Sequence, residues 1–97
     1  MKSISEYLQL LSDYMRTHAS VYRITRMGIF GSVARGEQTE TSDIDICIKL
    51  QEPNYFTIQD IKEDLEKIFR TKVDIISLGA IMRNFFKKSL EEDAIYI

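Results

Sequence analysis

Asp43 and Asp45 are separated by one residue at the start of Asp43–Leu50, a segment that alternates strictly. In an extended chain Ile44, Ile46, Ile48 and Leu50 fall on one face, and Asp43, Asp45, Cys47 and Lys49 on the other. Residues i and i+2 of a strand point the same way with Cα atoms roughly 6.5–7 Å apart, which holds two carboxylates side by side. Aspartate is a poor strand former, and like charges this close repel. The pair costs stability unless a positive group lies between its members. A hard divalent cation suits the role, since Mg2+ takes oxygen ligands, typically one or two carboxylates plus substrate phosphates. The same spacing also describes an exposed strand face that happens to carry two acids. It is not a calcium loop, because Cys47 takes the third ligand position and no glycine follows.

Asp74 lies between Val73 and Ile75 in a second apolar segment, Lys72–Leu78. An adjacent strand would bring it beside the first pair. Three carboxylates around one or two metals serve in-line phosphoryl displacement; alone, Asp74 reads equally well as a strand-edge charge. Gly31-Ser32 follows a β-type run and precedes the acids. A glycine there lets backbone approach a ligand closely, and a serine opening a helix offers a hydroxyl and an N–H to an anion; a serine would also be chosen as a plain N-cap. Gly31 and Gly36 have the spacing of a Walker A loop, but Glu37 and Gln38 stand where Lys-Ser/Thr is required. The Arg35 guanidinium matches triphosphate geometry, and it could equally pair with Glu37.

The elements that must position these residues follow from periodicity. Ser3 and Glu6 have capping-box spacing, and Ile4, Tyr7, Leu8, Leu11, Tyr14 and Met15 give a helix with an apolar face to about Thr17. Tyr22–Phe30 reads as a strand ending at Gly31, and a short helix after Ser32 leads to the strand Asp43–Leu50. Asn54 or Thr57 caps a helix with Ile58, Ile61, Leu65, Ile68 and Phe69 as its buried stripe. Lys72–Leu78 is a third strand, a last helix is expected over 80–88, and 94–97 forms a short terminal strand. The expected fold is α/β: a small mixed β-sheet with helices packed on one face, in a single domain, 1–97. His18 is expected in a polar, solvated connection, Cys47 as a small packed hydrophobe, Lys87-Lys88 on a solvated helix face, and Tyr7, Tyr14, Phe85 and Phe86 in the core.

The string GSVARGEQTETSDIDICI, residues 31–48, is far more specific than its parts. Gly31-Ser32, ten intervening residues, Asp43-Ile44-Asp45 and a later Asp74 resemble the nucleotidyltransferase superfamily that includes DNA polymerase β. With Ala34-Arg35-Gly36-Glu37 and Ser42 added, the pattern looks like the minimal nucleotidyltransferases of prokaryotes, the MntA-like antitoxins. The resemblance spans the whole chain. It implies that Asp43, Asp45 and Asp74 are the metal ligands and catalytic acids of a two-metal Mg2+ site, and that Gly31 and Ser32, with Arg35 beside them, bind the nucleotide. The reaction it implies moves AMP from ATP to a hydroxyl and releases pyrophosphate. In such proteins the acceptor is often a tyrosine of a HEPN-domain ribonuclease toxin, so a hetero-oligomer with a toxin is implied. The one mild departure is Cys47-Ile48, where bulkier aliphatics are common, and it touches no catalytic position.

Composition narrows the classes. The 97 residues are 44% hydrophobic and 29% charged, as in an ordinary globular domain. Net charge is −2 and the pI is about 5.4, the wrong sign for stable nucleic-acid binding. One cysteine excludes a disulfide framework and a cysteine-based zinc site. MKSISEYLQL has neither a continuous apolar run nor the form of a signal peptide, so the expected location is the cytoplasm, with no membrane partner. Two other readings stay open: a non-catalytic antitoxin that neutralises its partner by contact, and a small-molecule nucleotidyltransferase completed by a partner chain.

Overall fold

The computed structural model describes residues 2–79, 88, 90 and 92–97. The helix expected over 80–88 lies almost wholly outside the described residues, as do the placements expected for Phe85, Phe86 and Lys87.

Helix α1 runs Ile4–Tyr22 and opens with the full capping box: the Ser3 hydroxyl accepts from the Glu6 N–H, and Glu6 accepts from the Ser3 N–H, both at 3.2 Å. The expected end at Thr17 is corrected by five residues. Tyr14, His18 and Tyr22 recur every fourth position on one stripe and stack: the Tyr14 and His18 rings lie 4.1 Å apart and 6° from parallel, and His18 and Tyr22 are 5.9 Å apart. His18 is therefore a half-buried member of an aromatic ladder, and its Nδ1 lies 2.7 Å from the Thr17 hydroxyl. The helix stops at Arg23, held in the left-handed region at φ 55° with its N–H donating to the Ala19 carbonyl.

Strand β1 (Ile24–Phe30) therefore starts two residues later than expected, and it leads straight into the one-turn helix α2 (Gly31–Arg35). Strand β2 is Ile44–Leu50, helix α3 is Tyr55–Phe69, and strands β3 (Val73–Ser77) and β4 (Ile95–Tyr96) complete the sheet. Asn54, the first of the two expected caps, is the one used: its side-chain oxygen accepts from Phe56 and Thr57 N–H groups. The strand order is β3-β2-β1-β4; β1 is antiparallel to β2 and β4, and β2 is parallel to β3 through the α3 crossover.

Helices α1 and α3 cover one face of this mixed sheet, as expected. Tyr7, Leu11 and Tyr14 meet Ile61, Leu65 and Phe69 over Met27, Ile29, Ile44, Ile46 and Ile48. Tyr7 and Phe69 make an edge-to-face pair with centroids 5.2 Å apart. The opposite face is not bare. Phe30, Cys47 and Leu90 form a second small cluster there, so Cys47 is the packed hydrophobe its isolation suggested. Gly28 lets the edge strand β4 approach β1 with the Tyr96 ring alongside: a Cβ at that position would come within 2.8 Å of the Ile95 carbonyl oxygen and 2.9 Å of the Tyr96 ring. No helix among the described residues is long and apolar enough to cross a membrane.

Candidate active site

Asp45 and Asp74 are direct partners in the parallel β2–β3 ladder, and Asp45 faces Phe30 in β1 on its other side. Side chains of paired residues share a face of the sheet. The two carboxylates therefore rise together on the face away from α1 and α3. Asp43 sits one residue ahead of β2; the strand begins at Ile44, whose N–H donates to the Lys72 carbonyl at 3.0 Å. The expected strand start at Asp43 is thus one residue early. A turn fixes Asp43 instead: the Ser42 N–H reaches the Thr39 carbonyl, the Ser42 hydroxyl accepts from the Thr39 N–H at 2.9 Å, and the two hydroxyls lie 3.1 Å apart.

The electrostatics link all three acids. Asp45 has its pKa raised, first by burial and then by the charges of Asp74 and Asp43, while Arg35 pulls it back down. Asp74 is exposed and Asp45 half-buried. As the side chains stand, no three His, Cys, Asp or Glu groups among the described residues converge closely enough to hold an ion. The donor chemistry suits Mg2+ nonetheless: the set is all oxygen, and among the described residues Arg35 alone offsets the repulsion on Asp45.

Gly31 is pressed against this cluster. It adopts φ +73°, a region costly for any residue with a Cβ, and a Cβ there would run into the Asp45 carboxylate, whose Cγ would lie 3.1 Å away. The glycine thus has two independent reasons to be glycine. Ser32 does not cap α2; Phe30 occupies the N-cap position and offers no side-chain hydrogen bond. The helix closes at Gly36, also at φ +73°, where the Glu37 N–H donates to the Ser32 carbonyl at 2.8 Å.

Arg35 does pair with Glu37, its Nε donating at 3.0 Å, and Nη1 donates to Asp93 at 2.7 Å. Asp93 was not a sequence candidate: it lies 58 residues downstream, and no local spacing signals the contact. The Thr39–Ser42 turn does have a local signal, the T-x-x-S spacing.

A family model described as nucleotidyltransferase domain matches residues 8–97. The chain belongs to this family. The nucleotidyltransferase is 42% identical, over a 100-residue alignment covering all of both chains, to a chain of Methanocaldococcus jannaschii named as a candidate protein adenylyltransferase. It is 27% identical to the protein adenylyltransferase MntA of Thermococcus cleftensis, over 95% of this chain and 94% of that one. Among solved structures, a candidate minimal nucleotidyltransferase superposes with a TM-score of 0.77 at 26% identity, covering 97% of this chain and 95% of the other. An MNT antitoxin complex with a tri-AMPylated HEPN toxin of Shewanella oneidensis gives 0.61 at 15% identity, over 96% and 66%, a likeness of fold alone. The expected resemblance to minimal nucleotidyltransferases, the expected fold and the expectation of an enzyme are therefore borne out.

Proposed function

We propose that this nucleotidyltransferase transfers AMP from Mg-ATP to a hydroxyl, and that the hydroxyl is a tyrosine of a HEPN-type toxin with which the chain assembles. The observation that carries the reading is the side-by-side pairing of Asp45 and Asp74, with Gly31 seated against Asp45 at the mouth of a one-turn helix. Relatives named protein adenylyltransferases support the group transferred, and a structural neighbour bound to an AMPylated HEPN toxin supports the acceptor.

Asp43, Asp45 and Asp74 would hold Mg2+, which supplies charge neutralisation at the phosphates and a lowered pKa for the attacking hydroxyl. The chain's own groups do the rest. Gly31, with no side chain, lets the triphosphate come up to the backbone, where the first N–H groups of α2 and the Ser32 hydroxyl can bond it. Arg35 sets a fixed positive charge against the phosphates. Asp74, the exposed carboxylate, accepts the proton of the acceptor hydroxyl as its oxygen bonds to the α-phosphorus. The bond from the α-phosphorus to the bridging oxygen breaks, and pyrophosphate leaves.

The test expresses the tagged chain with its genomic neighbours and weighs intact co-eluting protein and its peptides, for wild type and for an Asp43→Asn, Asp45→Asn double variant. AMP added to a partner tyrosine by wild type only is the expected result. A stable complex without added mass in either sample would overturn the transferase reading in favour of neutralisation by contact.

A further inference from the structure

The Arg35 guanidinium is gripped from two sides, and the two grips differ in kind. Glu37 is two residues away on an exposed turn, whereas Asp93 comes from the far end of the chain with its side chain only 16% exposed. Asp93 is fixed on both flanks. On one side Leu90 is buried with Phe30 and Cys47, and its carbonyl accepts from the Ala94 N–H at 3.0 Å. On the other side β4 pairs with β1 at Gly28 and Ile29, and the Arg26 guanidinium lies 3.7 Å over the Tyr96 ring. A carboxylate anchored this way is a rigid second support for a flexible side chain at the edge of the acid cluster.

We infer that Asp93 is a positioning residue: it holds the Arg35 guanidinium in the orientation that receives the phosphates of the nucleotide. The inference rests on the function proposed above. The two bonds take up two of the five N–H donors of the guanidinium and fix the plane of the fork, so the other donors have a set direction. Arg35 closes the one-turn helix that Gly31 opens against the Asp45 carboxylate, which places it at the cluster rather than beyond it. Outer partners that orient metal ligands are generally worth 10–100-fold in affinity or activity, and Asp93 orients the guanidinium in the same way.

Calorimetry with the full 97-residue chain, Mg2+ and AMP-PNP tests this. Asp93→Asn should weaken AMP-PNP binding about 10-fold and weaken binding of AMP less, because AMP presents a single phosphate to Arg35. Asp93→Glu should restore most of the affinity. In an Arg35→Ala background Asp93→Asn should have no further effect, since the two act through one guanidinium. An Asp93→Asn chain that binds AMP-PNP like wild type, or one weakened equally in the Arg35→Ala background, would overturn the positioning role. A wild-type chain that binds no AMP-PNP, or an Asp45→Asn chain that binds it undiminished, would overturn the nucleotide site and the inference with it.

Discussion

Gly31 and Gly36 bracket α2 at the same φ of +73°, yet only Gly31 faces a side chain, and this contrast makes a measurable pair. An alanine in the left-handed region costs about 1–2 kcal/mol. Restricting the unfolded chain returns about 0.4–1 kcal/mol of that. At Gly36 nothing lies within 4 Å of the added methyl, so the net cost should be about 1 kcal/mol. At Gly31 the same strain is joined by collision with Asp45, whose Cγ and Cβ would stand 3.1 and 3.3 Å from the new carbon. Overpacking of this kind adds about 1–3 kcal/mol. Gly31→Ala should therefore cost about 2–4 kcal/mol, with each kcal/mol lowering Tm by about 4–8 °C in a domain of this size. Urea unfolding of both variants measures the difference. An Asp45→Ala partner substitution should bring the Gly31→Ala cost to within about 1 kcal/mol of the Gly36→Ala cost, because it removes the carboxylate that is struck hardest and leaves only Cβ at 3.3 Å. Transfer activity should survive Gly36→Ala and fail in Gly31→Ala, where the carboxylate is displaced. Equal destabilisation by the two alanines, or a Gly31 cost unmoved by Asp45→Ala, would refute the claim that Gly31 is glycine for the sake of Asp45.

Because burial, Asp74 and Asp43 raise the pKa of Asp45 in the folded state, the native protein holds its proton more tightly than the unfolded chain does, and stability drains away as pH rises through the raised value. Asp45→Asn should accordingly melt higher than wild type at pH 7 without metal, with the margin vanishing below about pH 4; a margin that persists in acid would contradict this. Tyr14 donates to the Asp64 carboxylate at 2.7 Å on the helix side of the sheet, so Tyr14→Phe should cost about 1.5–3 kcal/mol in a urea titration while AMP-PNP affinity stays at the wild-type value. Arg70 ends α3 at φ 58°, and Arg70→Gly should stabilise by about 0.5–1 kcal/mol by differential scanning calorimetry, the relief of left-handed strain exceeding the entropy glycine loses.

The acids and the sheet were legible for a local reason: each announces itself within a few residues. Ile44 to Leu50 alternates so regularly that the burial of its even positions could hardly have come out otherwise, and Asp45 and Asp74 sit at matching places in two such runs. The ends of helices were harder to read. Arginine at 23 and 70 takes the left-handed cap that glycine usually marks, so α1 carried no stop signal and ran on through His18, whose stacking between two tyrosines is a relation of four-residue spacing that polarity alone hides. The grip of Asp93 on Arg35 was hidden for another reason. It depends on β4 folding back to Gly28, a contact set by tertiary packing of residues nearly seventy apart. On the face opposite the helices, Leu90 covering Cys47 and Phe30 is likewise a long-range fact.

The in-register meeting of Asp45 with Asp74 also ranks the connections by how much length change they can absorb. Strand β3 enters from α3 through residues 70–72, immediately before the Ile44–Val73 pair. One extra residue there would slide β3 by a single step and turn each of its side chains to the opposite face, setting Val73 beside Asp45 and sending Asp74 toward the helices. At the other end of β2, residues 51–54 are exposed and lead into α3 without touching that register, so added residues there would lengthen a loop at small entropic cost. Insertions should therefore accumulate among natural variants at 51–54 and be absent from 70–72, a pattern imposed by where two aspartates must meet rather than by exposure, which residue 70 shares with them.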